Sequence, residues 1–150
     1  MPTYFLDSSA LVKRYRKETG TARVLELRQS SAKMVIAALS CVETTSAIVR
    51  RGRVSGIAAE LLDTALEALA RDVRELFEVI DLSPSVLAKA ADIARTHALR
   101  AADSIQLACA ILARPEGGSA AEFLFVSTDR ELNAAAAAEG FVIFDPSLGG

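Results

Sequence analysis

The sequence predicts an α/β fold, with helices on both faces of a mainly parallel sheet. Three observations carry that expectation. Short apolar runs recur along the chain: Tyr4-Phe5-Leu6, Met34 to Leu39, Phe77 to Ile80, Phe123 to Val126 and Phe141 to Phe144. Most of them are apolar at consecutive positions rather than alternate ones, the pattern of strands buried on both faces. Stretches of helical period lie between them, and strands alternating with helices call for parallel pairing through crossovers.

The first run stops at Asp7, where Ser8 or Ser9 is placed to cap a short helix from Ala10 to Tyr15. Glu18-Thr19-Gly20 breaks that helix, and Thr21 to Arg28 offers Val24, Leu25 and Leu27 for a second. The run Met34 to Leu39 leads into Ser40-Cys41-Val42-Glu43, a second acid just past a strand and in the first turn of a helix. Gly52, within Arg50-Arg51-Gly52-Arg53, is the expected C-terminal cap of that helix. Ala58 to Leu69 then places Leu61, Leu62, Ala65, Leu66 and Leu69 on one stripe, and the charges from Glu67 to Glu78 fall into spaced pairs typical of a solvated face. After Phe77 to Asp81, Ser83-Pro84 opens a helix with proline at its first position, and His97 follows the end of that helix. Leu99 to Leu112 is apolar almost all round, yet Asp103 heads the stripe that continues through Leu107 and Ile111. Phe123 to Val126 runs into Ser127-Thr128-Asp129, a helix is expected from Arg130 to Glu139 with Gly140 as its stop, and Phe141 to Phe144 is the last strand.

A chain of 150 residues suits one domain and needs no covalent staples for its core. Cys41 and Cys109 form no CxxC pair and His97 is the single histidine, so no zinc pattern is present and a reducing compartment is expected. There is no basic leader followed by a long apolar run, and no run of membrane-spanning length, so the expectation is a cytoplasmic protein with no membrane partner. Charge is uneven: residues 1–57 carry ten Lys/Arg against four acids, net +6, and residues 58–150 carry seven against fifteen, net −8, giving the overall −2. A basic first third suits an anionic partner such as nucleic acid.

Asp7, Glu43, Asp103 and Asp129 each fall near a strand end or a helix start. In an open α/β sheet, the crevice beyond the carboxyl ends of the strands is where ligands bind. On this reading no lysine, arginine or histidine lies against the group. Two carboxylates about 5 Å apart repel by roughly 3 kcal/mol at an effective dielectric of about 20. Four together therefore need raised pKa values or bound cations. All-oxygen donors suit Mg²⁺ or Mn²⁺, and such an ion supports hydrolysis at phosphorus.

Phe5-Leu6-Asp7-Ser8-Ser9-Ala10-Leu11-Val12-Lys13, Ser40-Cys41-Val42-Glu43, Ala102-Asp103-Ser104-Ile105-Gln106-Leu107-Ala108 and Val126-Ser127-Thr128-Asp129-Arg130-Glu131-Leu132 stand in this order across nearly the whole chain. In these segments the sequence resembles the PIN domain, and within it the VapC-type toxin ribonucleases of toxin–antitoxin pairs. The resemblance implies a three-layer α/β/α sandwich and an endoribonuclease that uses Mg²⁺ or Mn²⁺. It makes Asp7, Glu43, Asp103 and Asp129 the metal-binding catalytic quartet, with Ser9 and Ser127 in support. It also implies an RNA substrate, a cognate antitoxin and a homodimer. Ser104 and Gln106 depart from it, standing where Ala and His are frequent. The basic residues Lys13, Arg14, Arg16, Lys17, Arg50, Arg51 and Arg53 are then expected to hold the RNA backbone.

Rival readings fit less well. A haloacid dehalogenase-type phosphatase needs a second acid two residues after the first, where Ser9 stands. A receiver domain needs a further acid pair near the first strand and a lysine after the last strand. A non-catalytic PIN-like binding module has no need to keep all four acids. A PIN nuclease that processes RNA or cuts DNA shares every motif above.

Overall fold

The computed structural model describes residues 2–29 and 32–149. In chain order the elements are β1 (Thr3–Leu6), α1 (Ser8–Leu11) extended by a 3-10 turn (Val12–Arg14), α2 (Thr21–Gln29), β2 (Lys33–Ala37), α3 (Ala38–Ser55) and α4 (Ala59–Glu75). There follow β3 (Phe77–Ile80), α5 (Pro84–His97), α6 (Ala101–Ala113), a 3-10 turn (Ala120–Glu122), β4 (Phe123–Val126), α7 (Arg130–Ala138) and β5 (Val142–Phe144). The strands lie in the order β3-β2-β1-β4-β5, every pair parallel. The order reverses between β1 and β4, so the crevice of a doubly wound sheet opens between their carboxyl ends.

Two apolar layers explain why the strand runs are continuous. Side chains alternate across a strand, so neighbours enter opposite layers. Phe5, Val35 and Phe125 enter one layer with Val86 and Ile93 of α5, Leu107 of α6 and Leu132 of α7. Phe5 and Phe125 are register partners and stack with ring centroids 5.6 Å apart. Leu6, Met34, Ile36 and Val126 enter the other layer under Leu11 of α1, Val24 and Leu27 of α2 and Leu69 of α4. The result is the expected α/β/α sandwich with β1 at its centre.

Several boundaries differ from the sequence reading. Asp7 itself caps α1, its carboxylate accepting the Ala10 amide, so neither Ser8 nor Ser9 is the cap. Helix α3 begins directly after β2, which places Glu43 in its second turn. Gly52 lies buried inside α3, where a Cβ would run into the Leu62 side chain. It leaves room for the Leu62 side chain of α4, and the cap is Gly56 in the left-handed region at φ 63°. Helix α4 continues to Glu75, and His97 is the last residue of α5. Among the described residues, no helix is long and apolar enough to cross a membrane.

Candidate active site

Asp7 sits where β1 leaves the sheet, at the crevice beside β4. Its amide donates to the Val126 carbonyl at 3.1 Å. Asp7 is 4% exposed, and its carboxylate accepts three hydrogen bonds: Ala10 N at 3.0 Å, Ser9 Oγ at 2.6 Å and Ser127 Oγ at 2.7 Å. Each serine hydroxyl in turn accepts a backbone amide, Ser9 from Thr128 at 3.0 Å and Ser127 from Asp129 at 3.1 Å. Asp7 is thereby stitched to the loop that follows β4. Burial pushes its pKa up to about 6 and Asp129 adds to the rise, while the three hydrogen bonds hold it down.

Asp129 caps α7 through Leu132 N at 3.0 Å. Asp103 lies in the first turn of α6, where a carboxylate is favoured by the helix dipole. Its pKa is raised, chiefly by partial burial and then by Asp129, with Glu43 also contributing and Arg100 opposing. Arg100 corrects the reading that no cation lies against the acids. Its Nη2 stands 3.2 Å from Asp103 Oδ2 and 3.5 Å from Asp129 Oδ2. The signal for half of this was present, since three residues along a helix bring side chains together. The contact with Asp129 depends on the fold.

Glu43 points at a buried polar group around Gln106, which the sequence marked only as a departure from the family pattern. Gln106 is 2% exposed, and its Nε2 lies 2.9 Å from Glu43 Oε1, 2.8 Å from Ser40 Oγ and 3.0 Å from Ser8 Oγ. Ser8 Oγ also donates to Glu43 Oε1 at 2.7 Å. Three acceptor oxygens thus face an amide with two hydrogens, which orients the amide, while its own oxygen is buried without a partner. Helices α1, α3 and α6 meet at this point.

The four acids therefore feel one another: Asp7 with Asp129, Asp129 with Asp103, and Asp103 with Glu43. The donor set is entirely oxygen and fits a hard divalent cation. Among the described residues, no three ligand-type side chains converge closely enough to hold an ion as they stand. His97, the single histidine, neighbours Glu139 at 3.7 Å rather than any of the four acids.

The basic residues divide into two groups, and the first corrects the expected RNA surface. Lys13 is 6% exposed and donates to Glu18 at 2.8 Å and to the Thr19 carbonyl at 2.7 Å. Arg14 is engaged by Asp72 at 3.2 Å, within a buried group that includes Tyr15. Neither is free for RNA. Arg50, Arg51 and Arg53 are exposed. Arg16, Glu43, Arg50 and Arg51 line a groove of about 660 Å³ along α3. Acid and arginines thus share one trough.

A parallel α/β sandwich with buried Asp7 at its switch point, and Asp103 and Asp129 bridged by Arg100, presents an acidic crevice where such sheets bind ligands. The PIN domain model matches residues 4–138, and the chain belongs to that family. The chain is 29% identical over 143 residues to Ribonuclease VapC45 of Mycobacterium tuberculosis, covering 93% of each protein. It superimposes on PAE2754 from Pyrobaculum aerophilum with a TM-score of 0.67 at 21% identity, covering 97% of this chain and 84% of that one. A toxin–antitoxin complex from Klebsiella pneumoniae gives a TM-score of 0.64 at 14% identity, covering 95% of this chain and 97% of that one. These two likenesses establish the fold.

Proposed function

We propose that this chain is a metal-dependent endoribonuclease of the VapC type, a single cytoplasmic PIN domain acting as the toxin of a toxin–antitoxin pair. The observation that carries the reading is Asp7, a buried carboxylate at the switch point whose Ser9 and Ser127 partners tie it to the loop that carries Asp129. The relative named as a ribonuclease supports RNA as substrate, and the Klebsiella pneumoniae complex supports an antitoxin partner.

Asp7, Glu43, Asp103 and Asp129 are the residues to hold Mg²⁺ or Mn²⁺. Bound there, such an ion supplies a Lewis acid that neutralises phosphate charge and acidifies water. Ser9 and Ser127 keep both oxygens of Asp7 aimed, and the backbone amides they accept tie that aim to the position of Asp129. Gln106 and Ser8 set the Glu43 carboxylate. Arg50 and Arg51 offset the acidity of the crevice so that a polyanion can approach along α3. A homodimer is part of the proposal.

The test is cleavage of end-labelled tRNA, rRNA and mRNA with Mn²⁺, with Mg²⁺ and with EDTA, for wild type and Asp7→Asn. Ion-dependent endonucleolytic products from wild type alone are expected. Cleavage that persists in EDTA, or in Asp7→Asn, overturns the reading.

A further inference from the structure

Arg100 occupies a particular place among the charges of the crevice. It is the N-cap residue of α6, and its side chain is 78% exposed, so the helix start does not hold the guanidinium in place. The two acids hold it instead. Nη2 and Nε both reach Asp103 Oδ2, at 3.2 and 3.3 Å, and Nη2 also reaches Asp129 Oδ2 at 3.5 Å. These acids come from different elements, Asp103 from α6 and Asp129 from the cap of α7. Arg100 is the positive charge that bridges them.

From this bridge we infer that Arg100 is a built-in counter-ion, seated between Asp103 and Asp129 in the ion-free protein and displaced when a divalent cation takes those oxygens. The inference rests on the proposed metal site and adds a competitor to it. An oxygen within hydrogen-bond reach of a guanidinium presents that lone pair to nitrogen, and a dication a few ångströms away would repel a fixed positive charge. Ion entry therefore requires the arginine to swing out. Its high exposure allows this, because the side chain gives up only solvent-screened ion pairs and regains water. The arrangement lets Asp103 and Asp129 face each other without an ion, at the expense of some ion affinity.

The experiment is calorimetric titration of Mn²⁺ into the ion-free protein without RNA, comparing wild type, Arg100→Gln, Arg100→Lys and Arg130→Gln. Arg100 is exposed and contributes no side-chain cap, so its variants keep the fold, checked by urea midpoint. Arg130 is an exposed neighbour of Asp129 in sequence and controls for the loss of one positive charge nearby. Arg100→Gln should bind Mn²⁺ about three- to tenfold more tightly, the scale of one or two exposed ion pairs. Arg100→Lys should fall between it and wild type, and Arg130→Gln should match wild type. Equal or weaker binding by Arg100→Gln overturns the inference alone, as does equal tightening in Arg130→Gln. Absence of binding in wild type and variants alike overturns the metal reading and the inference with it.

Discussion

Gln106 and Glu43, 63 positions apart in sequence, meet at 2.9 Å through an amide that is buried at 2% exposure. The hydrogen bond joins α6, which also carries Asp103, to α3, so Glu43 is held by the helix that bears a second acid. Replacement by Leu keeps the volume and leaves Glu43, Ser40 and Ser8 short of a donor. The expected loss is about 1–3 kcal/mol of stability in the ion-free protein, together with weaker Mn²⁺ binding. Gln106→His, which retains an N–H donor, should restore most of the Mn²⁺ affinity. Urea midpoints and Mn²⁺ titrations on the same variants check this. A midpoint loss with unchanged Mn²⁺ affinity would reduce Gln106 to packing.

The five strands could be read from sequence because each apolar run fills two layers and is punctuated by an acid, a helix start or glycine. Asp7 and Asp129 could be read for the same reason, since a strand that ends on an acid declares its position. Other features carry no local signal. Gly52 looks like a cap until α4 lies across it. Lys13 and Arg14 look like surface charge, because sequence does not say which face of a single helical turn will be covered by Glu18 or Asp72. Ser8 and Ser40 are ordinary polar residues, and Gln106 only a departure from the family pattern, until three helices bring them together.

Asp7 should make the ion-free protein less stable as pH rises. Its folded pKa of about 6 lies above the unfolded value near 3.8, so the native state holds the proton more tightly. The stabilisation from that proton is complete below about 3.8 and is lost as pH passes through about 6, up to about 3 kcal/mol in all. Asp7→Asn removes the dependence, so the gap between variant and wild type should widen in favour of the variant across this window. Urea midpoints from pH 4 to 7 in EDTA, a range set by the two pKa values, measure it. A constant gap counts against a strained Asp7.

Mn²⁺ or Mg²⁺ should raise the thermal midpoint of wild type. Binding only to the native state contributes roughly 2.7 kcal/mol at a hundredfold excess over Kd, or about 5–10 °C for a chain of this size. Asp103→Asn should lose most of the shift, because one ligand and one repulsive charge disappear together. Differential scanning calorimetry with EDTA against millimolar ion reads it. A shift that survives in Asp103→Asn places the ion elsewhere.

The arginines of α3 should govern RNA affinity, and Arg14 should govern stability. Arg50 and Arg51 are exposed in the groove that also contains Glu43, so a strand lying there meets cations and the acid site in sequence. Replacing both with Gln should weaken binding of different RNAs alike and reduce the slope of log K against log salt by about one unit for each phosphate left without its arginine. Arg14→Gln should act differently. It leaves Asp72 with Tyr15 Oη at 2.8 Å and Arg71 at 3.8 Å as its remaining partners in a buried setting. The expected cost is about 3 kcal/mol of stability, with no change in salt slope. Filter binding of Asp7→Asn protein over a salt series, in the wild-type, Arg50→Gln/Arg51→Gln and Arg14→Gln backgrounds, separates the two. A slope unchanged by the double replacement would assign Arg50 and Arg51 to a protein interface, and a slope changed by Arg14→Gln would return that residue to the RNA surface.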